Sequence, residues 1–148
     1  MSADVVTLYT AFKVGNLTLG VDAVRVVEII RIPPRTRVHL APPEIWGVIN
    51  LRGELVTVLD LTLVMGLSEP EAEAELERRI VVISFSDEVA GFLVDEILDV
   101  VKVPAAEVQA VPQHLAEETG RHVSGIYGWD QGLLSILDLG SFEWKQGS

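Results

Sequence analysis

Short β-branched blocks, broken by glycine, proline and charged residues, recur along this chain and predict strands rather than core helices. Thr7 to Val14 and Leu17 to Val21 lie on either side of Gly15-Asn16, the pattern of a hairpin. Val24 to Ile32 is a third block, interrupted by Arg25 and Glu28 and stopped by Pro33-Pro34. Pro42-Pro43-Glu44 leaves room for no more than a helical turn. Gly47 to Leu61, GVINLRGELVTVLDL, then reads as strand, turn, strand, with Gly53 suited to a turn position of positive φ where a Cβ would clash. Ser68, Pro70 and Glu71 resemble a helix start, and EAEAELERR after them is the best helix former in the chain. It is short and almost wholly polar, so it reads as a solvated connector. Beyond it the blocks resume at Ile80 to Phe85, Val89 to Val94 and Ile97 to Val103, and Gly125 to Leu139 closes the series.

That last block, GIYGWDQGLLSILDL, aligns without gaps on Gly47 to Leu61, placing Leu55 on Leu133, Thr57 on Ser135, Asp60 on Asp138 and Leu61 on Leu139. Val21-Asp22 likewise matches Val94-Asp95. Two halves, approximately 5–64 and 79–142, with about five strands each, predict an all-β duplication within a single domain over 1–148. Five short strands bury their apolar faces and hide their edges best by curling, so the expected fold is two packed five-stranded β-barrels with short helical connectors. Whether strands are exchanged between the barrels is left open. Residues common to both copies are those a barrel itself requires. Asp60 and Asp138, and also Asp22 and Asp95, are therefore read as backbone caps. Glu28, Asn50 and Arg52 instead lie opposite Val101, Gly128 and Asp130, so the fold does not demand them.

Composition narrows the function. Twenty-two acidic residues against eleven basic ones give a net charge of -11, which disfavours nucleic-acid partners. Arg31, Arg35 and Arg37 form the only local basic cluster and, beside Pro33-Pro34, read as a solvated loop rather than an anion site. The absence of cysteine excludes disulfides and thiolate chemistry. No signal-peptide pattern follows Met1 and no apolar run approaches a membrane span, so the expected location is cytoplasmic with no direct membrane insertion. A mean hydropathy of +0.36 in so acidic a chain implies an apolar interior with some apolar surface left for partners. His39, His114 and His122 lack metal-ligand spacing, Gly47 to Gly53 lacks the ending of a phosphate loop, and Ser124-Gly125 is not a nucleophile elbow. No catalytic, cofactor-binding or metal residues are expected, and the chain is read as a non-enzyme. Trp46 and Trp129 read as core or inter-barrel packing, and Trp144 as either exposed or docked on the second barrel.

Glu28-Ile29, the GVINLRGELVTVLDL hairpin and GFLVDEILDV from Gly91 to Val100, in that order, resemble the CheW family of chemotaxis coupling proteins. The resemblance runs from about Thr7 to Phe142, and Thr57 stands where the family commonly has proline. It implies a non-enzymatic scaffold that couples chemoreceptors to a CheA-type histidine kinase. The receptor's cytoplasmic tip would lie in a groove between the barrels, flanked by Glu28 and Arg52 with Val26 and Asn50 in support. The kinase regulatory domain would meet hydrophobic ends of a barrel, and the protein would be recruited from the cytoplasm to receptor arrays serving flagellar, pilus or gene-regulatory outputs. The alternative is a small β-barrel enzyme or ligand-binding domain using the inter-barrel cleft, marked by convergent titratable groups rather than a smooth apolar groove.

Overall fold

Ten strands and two single-turn helices carry the computed structural model, which describes residues 5–67, 77–113 and 117–142. In chain order these are β1 (Val6–Val14), β2 (Leu17–Asp22), β3 (Val26–Ile30), β4 (Ile45–Leu51), β5 (Glu54–Asp60), α1 (Leu61–Val64), β6 (Arg79–Phe85), β7 (Glu88–Val94), β8 (Glu96–Pro104), α2 (Glu117–Gly120), β9 (Val123–Trp129) and β10 (Gly132–Leu137). The helix start expected at Ser68, Pro70 and Glu71, and the positions of His114 and Trp144, lie outside the described residues. The third block begins later than its composition predicts. The Asp22 carboxylate accepts the Val24 N–H at 3.1 Å and winds Ala23–Arg25 into a 3-10 turn, so β3 starts only at Val26.

The strands form two five-stranded sheets, ordered β8-β1-β2-β10-β9 and β3-β6-β7-β5-β4. Each sheet mixes the two halves of the chain: the β1-β2 hairpin joins β8, β9 and β10, while the β6-β7 hairpin joins β3, β4 and β5. The exchange left open by the sequence is thus present and reciprocal. Advancing every strand by five places turns one sheet order into the other, including the two parallel pairings, β2 with β10 and β5 with β7. All other ladders are antiparallel. The edges meet in the same way in both sheets. Beyond β3, Thr36 exchanges two 2.8 Å backbone bonds with Val48 of β4; beyond β8, Gln109 does the same with Ile126 of β9 at 2.8 and 2.9 Å. In each sheet the segment that follows the first edge strand is thus bridged back to the last.

The core divides accordingly. Ile49, Val56, Val58, Ile80, Val82 and Leu93 fill the concave side of one sheet, and Ala11, Val101, Val103, Leu134 and Ile136 that of the other. Between the sheets lies the largest cluster, with Phe12, Leu19, Val81, Phe92, Leu137 and Phe142 drawn from both. Strands with apolar residues on both faces, such as β6 and β7, serve an inner and an outer layer at once, which explains why their sequences run apolar without alternating. Trp46 and Trp129 pack, partly buried, against the two inner clusters. Among the described residues no helix is long and apolar enough to cross a membrane.

Candidate functional site

Asn50, Arg52 and Glu28 are brought together by a two-residue turn and a seam. Leu51 pairs with Glu54, and the residues between them, Arg52 and Gly53, have φ of 53° and 89°. Consecutive positive φ values match the right-handed twist of the strands they join. Gly53 adopts this freely, while Arg52 does so against the preference of a residue with a Cβ. The turn is held by Asn50, whose side-chain oxygen accepts the Gly53 N–H at 2.9 Å.

Arg52 Nη2 then donates to Glu28 Oε2 at 2.9 Å. Because β3 and β4 are the two edges of the same sheet, this ion pair spans the seam that the Thr36–Val48 bridge closes lower down. The Arg52 side chain is 78% exposed and that of Glu28 25% exposed, so a partner can reach the guanidinium without unfolding anything. A register shift between Val26 and Glu28 lets Val26 pack against the inter-sheet core, while Val27 and Ile29 remain exposed on the same strand. Leu55, just past the turn, is 76% exposed. Opposite charges thus stand beside uncovered aliphatic side chains on this face.

Among the described residues Tyr9, Arg35 and His122 have displaced equilibria. Burial, and secondarily the charge of Asp22, raises the Tyr9 phenol. His122 is held below its ordinary value of 6.5 by burial and then by Arg121, with Asp138 opposing. Its Nδ1 lies 2.7 Å from Ser141 Oγ, but that hydroxyl donates to the Asp138 carbonyl at 2.6 Å. Among the described residues no three His, Asp or Glu side chains gather closely enough to hold a metal ion.

The duplicated aspartates act on backbone. Asp60 and Asp138 accept the N–H two residues on, from Thr62 at 3.1 Å and Gly140 at 3.0 Å, where each hairpin leaves its sheet. Asp95 accepts the Gly15 N–H at 2.7 Å and so fastens the β1-β2 turn contributed by the other half. The arginine loop differs from its sequence reading. Arg31 and Arg37 are exposed, but Arg35 stacks on Trp46 with its guanidinium carbon 4.2 Å from the ring centre, and donates to the Trp46 carbonyl at 2.6 Å. Eleven residues separate the two, so only the fold could reveal the pairing.

Comparison with known proteins bears on the family and the fold. The family model described as CheW-like domain matches residues 9–143. A chemotaxis protein CheW of Bacillus subtilis (strain 168) is 33% identical over 137 residues, covering 93% of this chain and 86% of its own length. Protein FrzA of Myxococcus xanthus is 32% identical over 118 residues, 80% of this chain and 72% of the relative. The crystal structure of the scaffolding protein TtCheW from Thermoanaerobacter tengcongensis superposes with a TM-score of 0.82 at 24% identity, over 95% of this chain and 90% of that one, and establishes likeness of fold.

Proposed function

This chain belongs to the CheW-like domain family, and from that premise we propose how it works: as a chemotaxis adaptor that couples receptors to a CheA-type histidine kinase by binding both. The observation that carries the reading is the exposed Glu28–Arg52 pair on the seam of one sheet, held by Asn50 and flanked by uncovered aliphatics. Such a pair contributes only about 0 to 1 kcal/mol to folding while it faces water. At the centre of an interface an arginine of this kind is worth about 2 kcal/mol or more. Its value is therefore greatest when a partner covers it.

In this reading the receptor's cytoplasmic tip covers Glu28 and Arg52, Val26 shapes the strand beneath, and the kinase regulatory domain takes exposed aliphatics at a barrel end. No chemical step is assigned to the chain, and no cofactor. It acts from the cytoplasm by being in two contacts at once, so that modest affinities become strong within a repeated lattice. Receptor state reaches the kinase as a shift between arrangements that bind these surfaces differently. The test is co-sedimentation of the purified chain with a receptor cytoplasmic fragment and a CheA-type kinase. Ternary assemblies are expected with the native chain and depleted ones with Glu28→Ala or Arg52→Ala; absence of binding to either partner would overturn the adaptor reading.

A further inference from the structure

The three arginines Arg35, Arg37 and Arg78 line a cleft of about 460 Å³ between the segment that follows β3, the end of β5 and the residue before β6. Among the described residues the acidic member of its wall is Asp60, and Asp95 stands beside Arg78 at 3.8 Å, so three positive charges meet two negative ones in a chain whose net charge is -11. Arg78 is ion-paired but not hydrogen-bonded by these carboxylates. The Arg78 side chain is 12% exposed, yet its nitrogens approach Asp60 and Asp95 only to 3.8 Å, too far for a hydrogen bond. Its Nε is buried with no hydrogen-bond partner. Arg35 is fixed in place by stacking on Trp46 and uses one N–H on the Trp46 carbonyl. Burial first, then the charges of Arg37 and Arg78, lower the Arg35 equilibrium against the pull of Asp60, a sign that these cations repel one another.

A half-buried guanidinium cluster with unused donors is costly unless something satisfies it. We propose that this cleft binds the phosphoryl group of a small soluble molecule. The planar forks of arginine match phosphate oxygens in pairs. After Asp60 and Asp95 one positive charge is left over among the described residues, which suits an anionic phosphoryl group. The volume lies within the range of about 300 to 1,000 Å³ usual for small-molecule sites. The cleft is separate from the Glu28–Arg52 surface, so success or failure here leaves the adaptor reading untouched.

The test is calorimetric titration of the full chain with inorganic pyrophosphate and inorganic phosphate at ionic strength fixed with potassium chloride. Saturable binding of pyrophosphate is expected, weakened about tenfold or more by Arg37→Ala and by Arg35→Gln and unchanged by Lys102→Ala on the other sheet. Arg37 is exposed, so its replacement probes the ligand without disturbing the fold. Lack of saturation, or equal loss on Lys102→Ala, would overturn the site. Citrate binding as tightly as pyrophosphate would overturn the phosphoryl assignment.

Discussion

In the proposed reading Arg52 separates the needs of folding from those of binding. Its φ of 53° costs an L residue roughly 1 kcal/mol, and its ion pair with Glu28 is too exposed to repay much. Arg52→Ala should leave the thermal midpoint nearly unchanged and reduce receptor or kinase binding. Arg52→Gly should fold about 1 kcal/mol more stably than Arg52→Ala, because both lack the ion pair and only glycine is at ease there. Urea midpoints for the two variants decide this; equal midpoints would remove strain from the account. His122 supplies a second expectation. Burial and Arg121 hold its folded equilibrium below the ordinary 6.5, so the unfolded chain binds the proton more readily. Stability from the neutral ring is complete above about pH 6.5 and is lost as pH falls through that value towards the folded one. Urea midpoints at about pH 7.5 and about pH 5.5 should differ less in His122→Gln than in the native chain. An unchanged difference would mean His122 does not contribute. The caps of Asp60 and Asp138 were readable from position alone, since their bonds reach two residues; the bond of Asp95 to Gly15 and the roles of Arg35 and Arg78 were not, because their neighbours come from distant parts of the chain.

Among elements, the hairpins followed from local chemistry and the sheets did not. Gly15 and Gly53 marked their turns correctly, each with positive φ, while the β6-β7 turn through Ser86 and Asp87 also has positive φ without a glycine to announce it. Val24, read as strand, was claimed by a cap from Asp22 instead. Gly91 shows how β7 fits between its neighbours. A Cβ there would lie 2.8 Å from Ile80 and 3.0 Å from Val58, both filling the concave side of that sheet. Gly91→Ala should therefore cost about 1 to 3 kcal/mol by overpacking, read as a lowered urea midpoint with an unchanged slope. A neutral outcome would mean that β5 and β6 can move apart at little cost.

Over the whole molecule, reciprocal exchange makes the halves interdependent. Each sheet takes three strands from one half and a two-stranded hairpin from the other, so neither half can close a sheet alone. Fragments produced by a cut between residues 67 and 77 should each be unfolded in isolation and should recover the native far-ultraviolet spectrum when mixed in equal amounts. Either fragment folding alone as a monomer would contradict the interdependence. The same arrangement gives an adaptor a rigid body, with the inter-sheet core of Phe12, Phe92 and Phe142 fixing the distance between surfaces that different partners would occupy.

Strand blocks, turn positions, the caps and the oddity of Glu28 and Arg52 were all present in the order of residues, because alternation, turn chemistry and short-range hydrogen bonds act within a few positions of the chain. The family match spans residues 9–143 and so takes in those same local motifs. Which hairpin joins which sheet, the ion pair across the seam and the gathering of Arg35, Arg37 and Arg78 around one cleft depended on the folded form. These arise where segments far apart in sequence compete to cover the same apolar surface, and no local pattern records which of them prevails.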